Sequence, residues 1–173
     1  GWVLGKMSVR AFNTLYFHQH FQRIRCGVIH PEPFFYPLDT VRRWNLMYGK
    51  RGFTQYQCVL PKSGMPDNAR DFLELLTTVG GASFLSVIKD CGEEGDGILS
   101  FPMAGVSVAL DIPMRSDTQT IVDTLNKFVI ERGGRIYLSK DSLTRAEDYR
   151  AMDPRIDRFL EIRHKYDPEL RIR

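Results

Sequence analysis

Between residues 53 and 60 the chain alternates, with Tyr56, Cys58 and Leu60 set against Gln55 and Gln57. Successive side chains of a strand point to opposite sides, so this run predicts a strand with one core face and one polar face. The same period of two predicts strands over 83–90 and 106–112, the latter from Val106, Val108 and Leu110, and a short returning strand over 135–138. Helical spacing intervenes. Ala69, Phe72, Leu73, Leu76 and Val79 share one face of a helix over 66–79, and Ile121, Val122, Leu125, Phe128 and Val129 share one face of a second. Ser116-Asp117-Thr118-Gln119 reads as a capping box opening that second helix, and Gly133-Gly134 closes it.

The order is β-α-β-β-α-β, which implies an α+β fold: an antiparallel sheet with both helices on one face, a ferredoxin-like core flanked by N- and C-terminal helical segments. At the N-terminal side, Phe12, Leu15 and Tyr16 predict an aromatic-rich helix over 8–23 with Ser8 as its cap. The stretch "HPEPFFYPLD" has prolines at 31, 33 and 37 and predicts an extended segment ending at Asp39. Asp39 then caps a short helix over 40–48 that Gly49 ends. After the last strand, residues 139–168 are polar and helical with a break at Pro154, and Ile156, Phe159, Leu160 and Ile162 form only a narrow apolar stripe.

If the helices cover Tyr56, Cys58, Phe84, Ile88, Val106, Val108 and Leu110, the opposite face displays Gln55, Gln57, Leu85, Val87, Lys89, Ser107, Ala109 and Asp111. A merely solvated sheet face carries more charge and longer side chains, whereas a binding floor mixes amides, single charges and small residues in this way. Lys89 inside an apolar strand either snorkels to water or answers an anion. Lys140-Asp141-Ser142 follows the last strand directly. There Asp141 or Ser142 can cap a helix with Lys140 solvated, or the lysine is held on rigid backbone and aimed into a cleft.

Composition narrows the chemistry mainly by exclusion. With 43% hydrophobic and 26% charged residues over 173 positions, the chain is an ordinary globular one. A net charge of +3 from scattered basic residues prompts no nucleic-acid partner. Cys26, Cys58 and Cys91 are odd in number and widely spaced, which argues against a disulfide framework or zinc site and for a reducing, cytoplasmic setting. His18 and His20 diverge on a helix, "GEEGDG" at 92–97 lacks calcium-loop spacing, and neither GxSxG nor a P-loop occurs, so no metal is expected. No apolar run approaches the ~20 residues of a membrane span. The opening Gly1-Trp2-Val3-Leu4 reads as a cut into a longer chain.

The strings "FFYPLDTVRRWNLMYGKRGFTQYQCVLP", "SFLSVIKD", "LSFPMAGVSVALDIP" and "GGRIYLSKDSLTRAEDYRAMDPRIDRF" resemble the carboxy-terminal half of FAD-linked oxidases of the vanillyl-alcohol oxidase type. Within that superfamily the likeness is to bacterial enzymes that act on polyprenyl-phosphoryl sugars, and it runs from about residue 30 to the end. The resemblance implies that residues 1–134 are a substrate-binding cap domain. Residues 135–173 would be the returning segment of an FAD-binding domain whose amino-terminal half, the main holder of FAD, is absent. It also implies that Lys140 reaches both flavin and substrate hydroxyl with Tyr137 beside it, and that Gln55, Gln57, Val87, Lys89, Ser107, Ala109 and Asp111 line the substrate floor. Lys89 would hold a substrate phosphate.

The function so implied is oxidation of a sugar or alcohol hydroxyl by hydride transfer to flavin, with the C2′ hydroxyl of a polyprenyl-phosphoryl ribose as one candidate. An epimerising reductase is an implied partner, and membrane association is compatible with a lipid-linked substrate. An aldonolactone oxidase of the same superfamily and a non-catalytic ferredoxin-like binding module are the competing readings.

Overall fold

The order read from the periodicity is the order the chain adopts. A computed structural model describes residues 6–19, 22, 24, 26–36, 42–81, 83, 85–140 and 142–171. The chain divides into two compact units, 1–53 and 54–173. Among the described residues no helix is long and apolar enough to cross a membrane.

The first unit holds α1 (Lys6–His18), α2 (Pro31–Phe35) and a 3-10 turn, Trp44–Tyr48. α1 starts before Ser8, which is therefore a helical residue rather than the cap, and it stops short of the expected end near residue 23. α2 corrects the expectation of an extended segment. Pro31 and Pro33 both fall in the first turn, where a helix has no partner for its N–H groups, so the prolines start the turn instead of forbidding it. His30 caps it, its Nδ1 accepting the Glu32 N–H at 3.4 Å. The helix expected over 40–48 is the 3-10 turn, entered through Arg43 at φ 57°; its expected cap Asp39, with Thr40, lies outside the described residues. Trp44, Tyr48 and Phe53 pack ring against ring, with Tyr48 and Phe53 centroids 4.5 Å apart.

The second unit carries the sheet. Its strands are β1 (Phe53–Pro61), β2 (Ser86–Cys91), β3 (Gly105–Pro113) and β4 (Arg135–Ile136), in the spatial order β2-β3-β1-β4. β2 and β4 run antiparallel to their neighbours β3 and β1. Contacts between β1 and β3 run in opposite directions along the two chains, from Gln55 with Asp111 to Lys62 with Ala104, so this pair is antiparallel too. Gly105 permits their close approach, since a Cβ there would sit 2.0 Å from the Leu60 carbonyl oxygen.

Helices α3 (Asp67–Thr78) and α4 (Thr118–Glu131) cover one face. Phe72 and Leu76 of α3 and Ile121, Val122, Leu125 and Val129 of α4 pack on Tyr56, Cys58, Leu60, Val108, Leu110 and Ile136. Each such side chain contributes about 1.5–3 kcal/mol on full burial, which makes this layer the main stabilising term of the unit. Asn126, fully buried on α4, ties three elements: its Oδ1 accepts the Tyr56 hydroxyl at 3.0 Å, and its Nδ2 donates to Thr144 and Asp148 at 3.1 Å each. α5 (Ala146–Met152) and α6 (Ile156–Tyr166) complete the chain on either side of Pro154, as the sequence implied.

Five further expectations change. Ile88 lies on the helix-covered side of β2 yet is 54% exposed, because β2 is the sheet edge and the core is built on β1, β3 and β4. The strand predicted from residue 83 starts at Ser86, and Phe84 lies outside the described residues. The capping box does not form: Thr118 Oγ1 instead accepts the Arg115 N–H and donates to the Pro113 carbonyl, and Gln119 reaches Asp123 and the Leu143 carbonyl. The last strand is two residues, and Leu138–Lys140 form a 3-10 turn. α5 is capped at Arg145 rather than at Ser142, and Asp141 lies outside the described residues.

Two outcomes follow from this packing. Burial pushes the Cys58 thiol up to about 12, above its unfolded value, so its contribution to stability is full below about pH 9 and is lost as pH climbs towards 12. Mass spectrometry after iodoacetamide treatment at pH 8 should accordingly find exposed Cys26 alkylated and Cys58 unmodified until the protein is denatured. Asn126→Ala should lower the urea-unfolding free energy by about 2–3 kcal/mol, since it leaves the buried Tyr56 hydroxyl without its acceptor on α4.

Candidate functional site

Cross-strand neighbours share a face, so the register shows which side chains meet opposite the helices. Lys89 pairs with Ser107 and Val87 with Ala109 across β2 and β3. Gln57 Nε2 on β1 donates to Ser107 Oγ at 3.0 Å, and the Gln57 carbonyl accepts the Tyr137 N–H at 2.8 Å. The β1–β3 contacts that set Gln55 opposite Asp111 also set Gln57 opposite Ala109, so Val87, Ala109, Gln57 and Tyr137 form one row across the whole sheet, and the Gln57 amide reaches diagonally to Ser107 in the neighbouring row, where Lys89 stands. With strands ~4.8 Å apart the row is roughly 14 Å long. A further row, two residues along each strand beyond Val87 and Ala109, contains Asp111 and Gln55, joined by Gln55 Nε2 donating to Asp111 Oδ1 at 3.0 Å. The Asp111 N–H is shared between Ser83 Oγ at 3.0 Å and the Leu85 carbonyl at 3.3 Å.

Every floor residue named from the sequence thus falls on one face, but not all are displayed. Gln55 and Lys89 are exposed, and Gln57, Val87 and Ala109 are half-buried. Ser107 and Asp111, expected on display, are 1% and 2% exposed. The reason is their place on β3, an inner strand whose short side chains lie below the longer glutamines of β1 that bond to them. Each glutamine uses one amide hydrogen on this bond, which leaves its carbonyl oxygen and second hydrogen outside it.

Tyr137 and Lys140 stand at the β4 end. Tyr137 is half-buried, its ring 4.8 Å from that of Phe101 and tilted by 32°. Its carbonyl accepts the Lys140 N–H at 2.9 Å, closing the 3-10 turn. Two residues later Ser142 Oγ meets Thr54 Oγ1 at 2.6 Å, which fastens the chain to the start of β1. Lys140 is half-buried, and neither its ammonium nor that of Lys89 makes a hydrogen bond or ion pair with another described residue. One cation, Lys89, therefore stands on this face in the row beside that of Gln57 on the β2 side, and a second, Lys140, stands on the chain that leaves β4. No cluster of metal-ligating side chains occurs among the described residues. Phe101 is the residue the periodicity missed: it lies in the irregular stretch before β3, and the only hint was an isolated aromatic between Ser100 and Pro102.

No family model matches the chain. Over 136 residues, 79% of this chain and 29% of the other, it is 40% identical to the decaprenylphosphoryl-beta-D-ribose oxidase of Mycolicibacterium smegmatis. Over 118 residues, 68% of this chain and 32% of the other, it is 34% identical to an uncharacterized protein in the mprA 5′ region of Streptomyces coelicolor. The chain is thus closely related to that oxidase, and its match spans about three tenths of the length of these two relatives.

The geometry makes Gln57 a support for Ser107 as well as a surface group. Gln57→Leu should cost about 1–2 kcal/mol in urea unfolding by stranding a buried hydroxyl, and adding Ser107→Ala should recover part of that loss. Strictly additive losses would show the two side chains to be uncoupled.

Proposed function

We propose that this chain, a relative of an oxidase, is the substrate-binding portion of an FAD-dependent oxidoreductase that oxidises a sugar hydroxyl. The single observation that carries this reading is the row Val87–Ala109–Gln57–Tyr137, with Lys89 and Ser107 in the row beside it and Lys140 on the turn that follows Tyr137, in a chain 40% identical to that oxidase. The surface suits a flat heteroaromatic ring. It offers amide groups with unused hydrogen-bonding capacity, a tilted aromatic pair at one end, and cations that no described residue neutralises. Tyr137 and Lys140 would hold the flavin edge, while most of the FAD would be bound by polypeptide outside this chain, in a domain that residues 135–173 rejoin.

The flavin supplies a two-electron acceptor for the carbinol hydride. Lys140 would orient the substrate hydroxyl and stabilise the alkoxide that develops as its proton passes to water, a contribution of the kind that preorganised charges make at an oxyanion. Gln57 and Gln55 hold neighbouring hydroxyls of the sugar, and rigid pairing beneath them keeps their amides aimed outward. Lys89, on the edge strand β2 in the neighbouring row, pairs with a phosphate, which matches a polyprenyl-phosphoryl ribose oxidised at its C2′ hydroxyl. The resulting ketone requires a reductase to consume it, and the lipid tail places the reaction at or near a membrane surface.

In the FAD-loaded enzyme carrying these residues, Lys140→Ala should slow substrate-driven bleaching of the flavin by at least ~10²-fold. Bleaching at the original rate would remove Lys140 from the chemistry. Lys89→Ala should raise KM for a phosphorylated sugar and leave kcat nearly unchanged, whereas a small lactone turned over better than any lipid-linked sugar would point to an aldonolactone oxidase.

A further inference from the structure

Residues 92–104 connect β2 to β3 without helix or strand, yet two arginines from distant parts of the chain converge on them. Arg135, the first residue of β4, and Arg155, at the entrance to α6, both donate to the Ser100 carbonyl at 2.9 Å. Both also pair with the Glu94 carboxylate, Arg135 at 2.9 Å. Asp153, 3% exposed, aims Arg155 with a two-pronged bond in which its oxygens accept from Nε and Nη2 at 2.7 Å each. The Ser100 hydroxyl in turn accepts the Gly95 N–H at 3.0 Å, folding the loop on itself. A planar guanidinium fork fixes direction as well as distance, so two of them on one carbonyl define where the next residue goes.

That next residue is Phe101, the partner of Tyr137. The Tyr137 backbone is held through Gln57 and Lys140, but those bonds leave its ring free to turn about the side-chain torsions. Among the described residues the Tyr137 ring packs against that of Phe101, and Phe101 stands next to the doubly gripped carbonyl.

We propose that Phe101 is a positioning residue for Tyr137, and that Glu94, Arg135 and Arg155 form a clamp on the β2–β3 loop whose role is to hold it there. The loop is then the wall of the candidate site at the β4 end, and it sets the orientation of the ring a bound sugar or flavin meets. This deepens the oxidoreductase reading and rests on it for its catalytic consequence, but the clamp itself is testable on the chain alone.

The first measurement is the position of the Tyr137 ring resonances in the NMR spectrum, assigned by their loss in Tyr137→Phe. Stacking on Phe101 should displace them from the values of an exposed tyrosine. Phe101→Leu should return them to those values, and Phe101→Tyr should keep them displaced. Arg155→Ala should release them although Phe101 is still present, and Glu94→Gln, which keeps the shape of the carboxylate, should do so in part even if Arg155→Ala fails to fold. Resonances unmoved by both clamp variants, or by Phe101→Leu, would overturn the proposal.

The second measurement is turnover by the FAD-loaded enzyme. Phe101→Leu should lower kcat roughly 10- to 100-fold with KM within about twofold, and Phe101→Tyr should restore it. If Phe101→Leu frees the ring but turns over at the original rate while Lys140→Ala is inactive, the positioning role is wrong and the functional reading stands. If Lys140→Ala is also fully active, the functional reading falls instead.

Discussion

β1 is hydrogen-bonded on both sides, to β3 and to β4, and the rest of the second unit depends on its staying in register. A slip of one residue would move Gln55 and Gln57 into the apolar layer and expel Tyr56, Cys58 and Leu60 from it. Two features oppose that slip. The alternation makes the misplaced glutamines costly to bury, and the Tyr56 hydroxyl has a single-residue-specific partner in Asn126, itself fully buried and bonded to Thr144 and Asp148. The polar network below the sheet thus fixes which side chains appear above it.

What appears above is layered. Ser107 and Asp111 are removed from water and satisfied by Gln57 and Gln55, so the lower part of the face behaves as core even though its residues are polar. The upper part consists of the outer edges of the two amides, the half-buried side chains of Val87 and Ala109, and the cation Lys89. A ligand arriving on such a surface meets donors whose orientation is already set, which reduces the ordering that binding would otherwise require. The Glu94–Arg135–Arg155 clamp extends the same logic to the aromatic wall.

The parts legible in the sequence were those governed by a period. Tyr56, Cys58, Leu60, Val108 and Leu110 identified the core face, Phe72 with Leu76 and Leu125 with Val129 identified the covering helices, and the complementary set identified the candidate floor. Local signals fared worse because tertiary partners outcompeted them. Gln119 left its capping box for the Leu143 carbonyl, and Ser142 left its helix for Thr54. Prolines at 31 and 33 were read as breakers when their position in a first turn made them starters. Burial of Ser107 and Asp111 could not be read from alternation, which gives a side but no depth; depth depends on strand order, and only the pairing of β3 between β2 and β1 supplies it. Phe101 and its clamp lie beyond any period, since they join residues 35 to 55 positions apart.

The shortness of β4 matters for where Lys140 stands. A strand continuing past Ile136 would place its residues alternately on the two faces along the edge of β1. Instead the ladder ends with one further bond, Tyr137 N–H to the Gln57 carbonyl, and the chain turns through Leu138–Lys140 before Ser142 fastens to Thr54. Tyr137 and Ser142 are therefore each bonded to β1, with Lys140 between the two fastenings in the chain. A lysine on a free loop would lose much of its conformational freedom on engaging a substrate hydroxyl, weakening any charge stabilisation it provides. Holding the backbone at both sides of Lys140 removes most of that loss in advance, leaving only the four-carbon stem to be ordered. The local irregularity that made the last strand hard to read is what anchors the backbone beside Lys140 to the most constrained strand of the sheet.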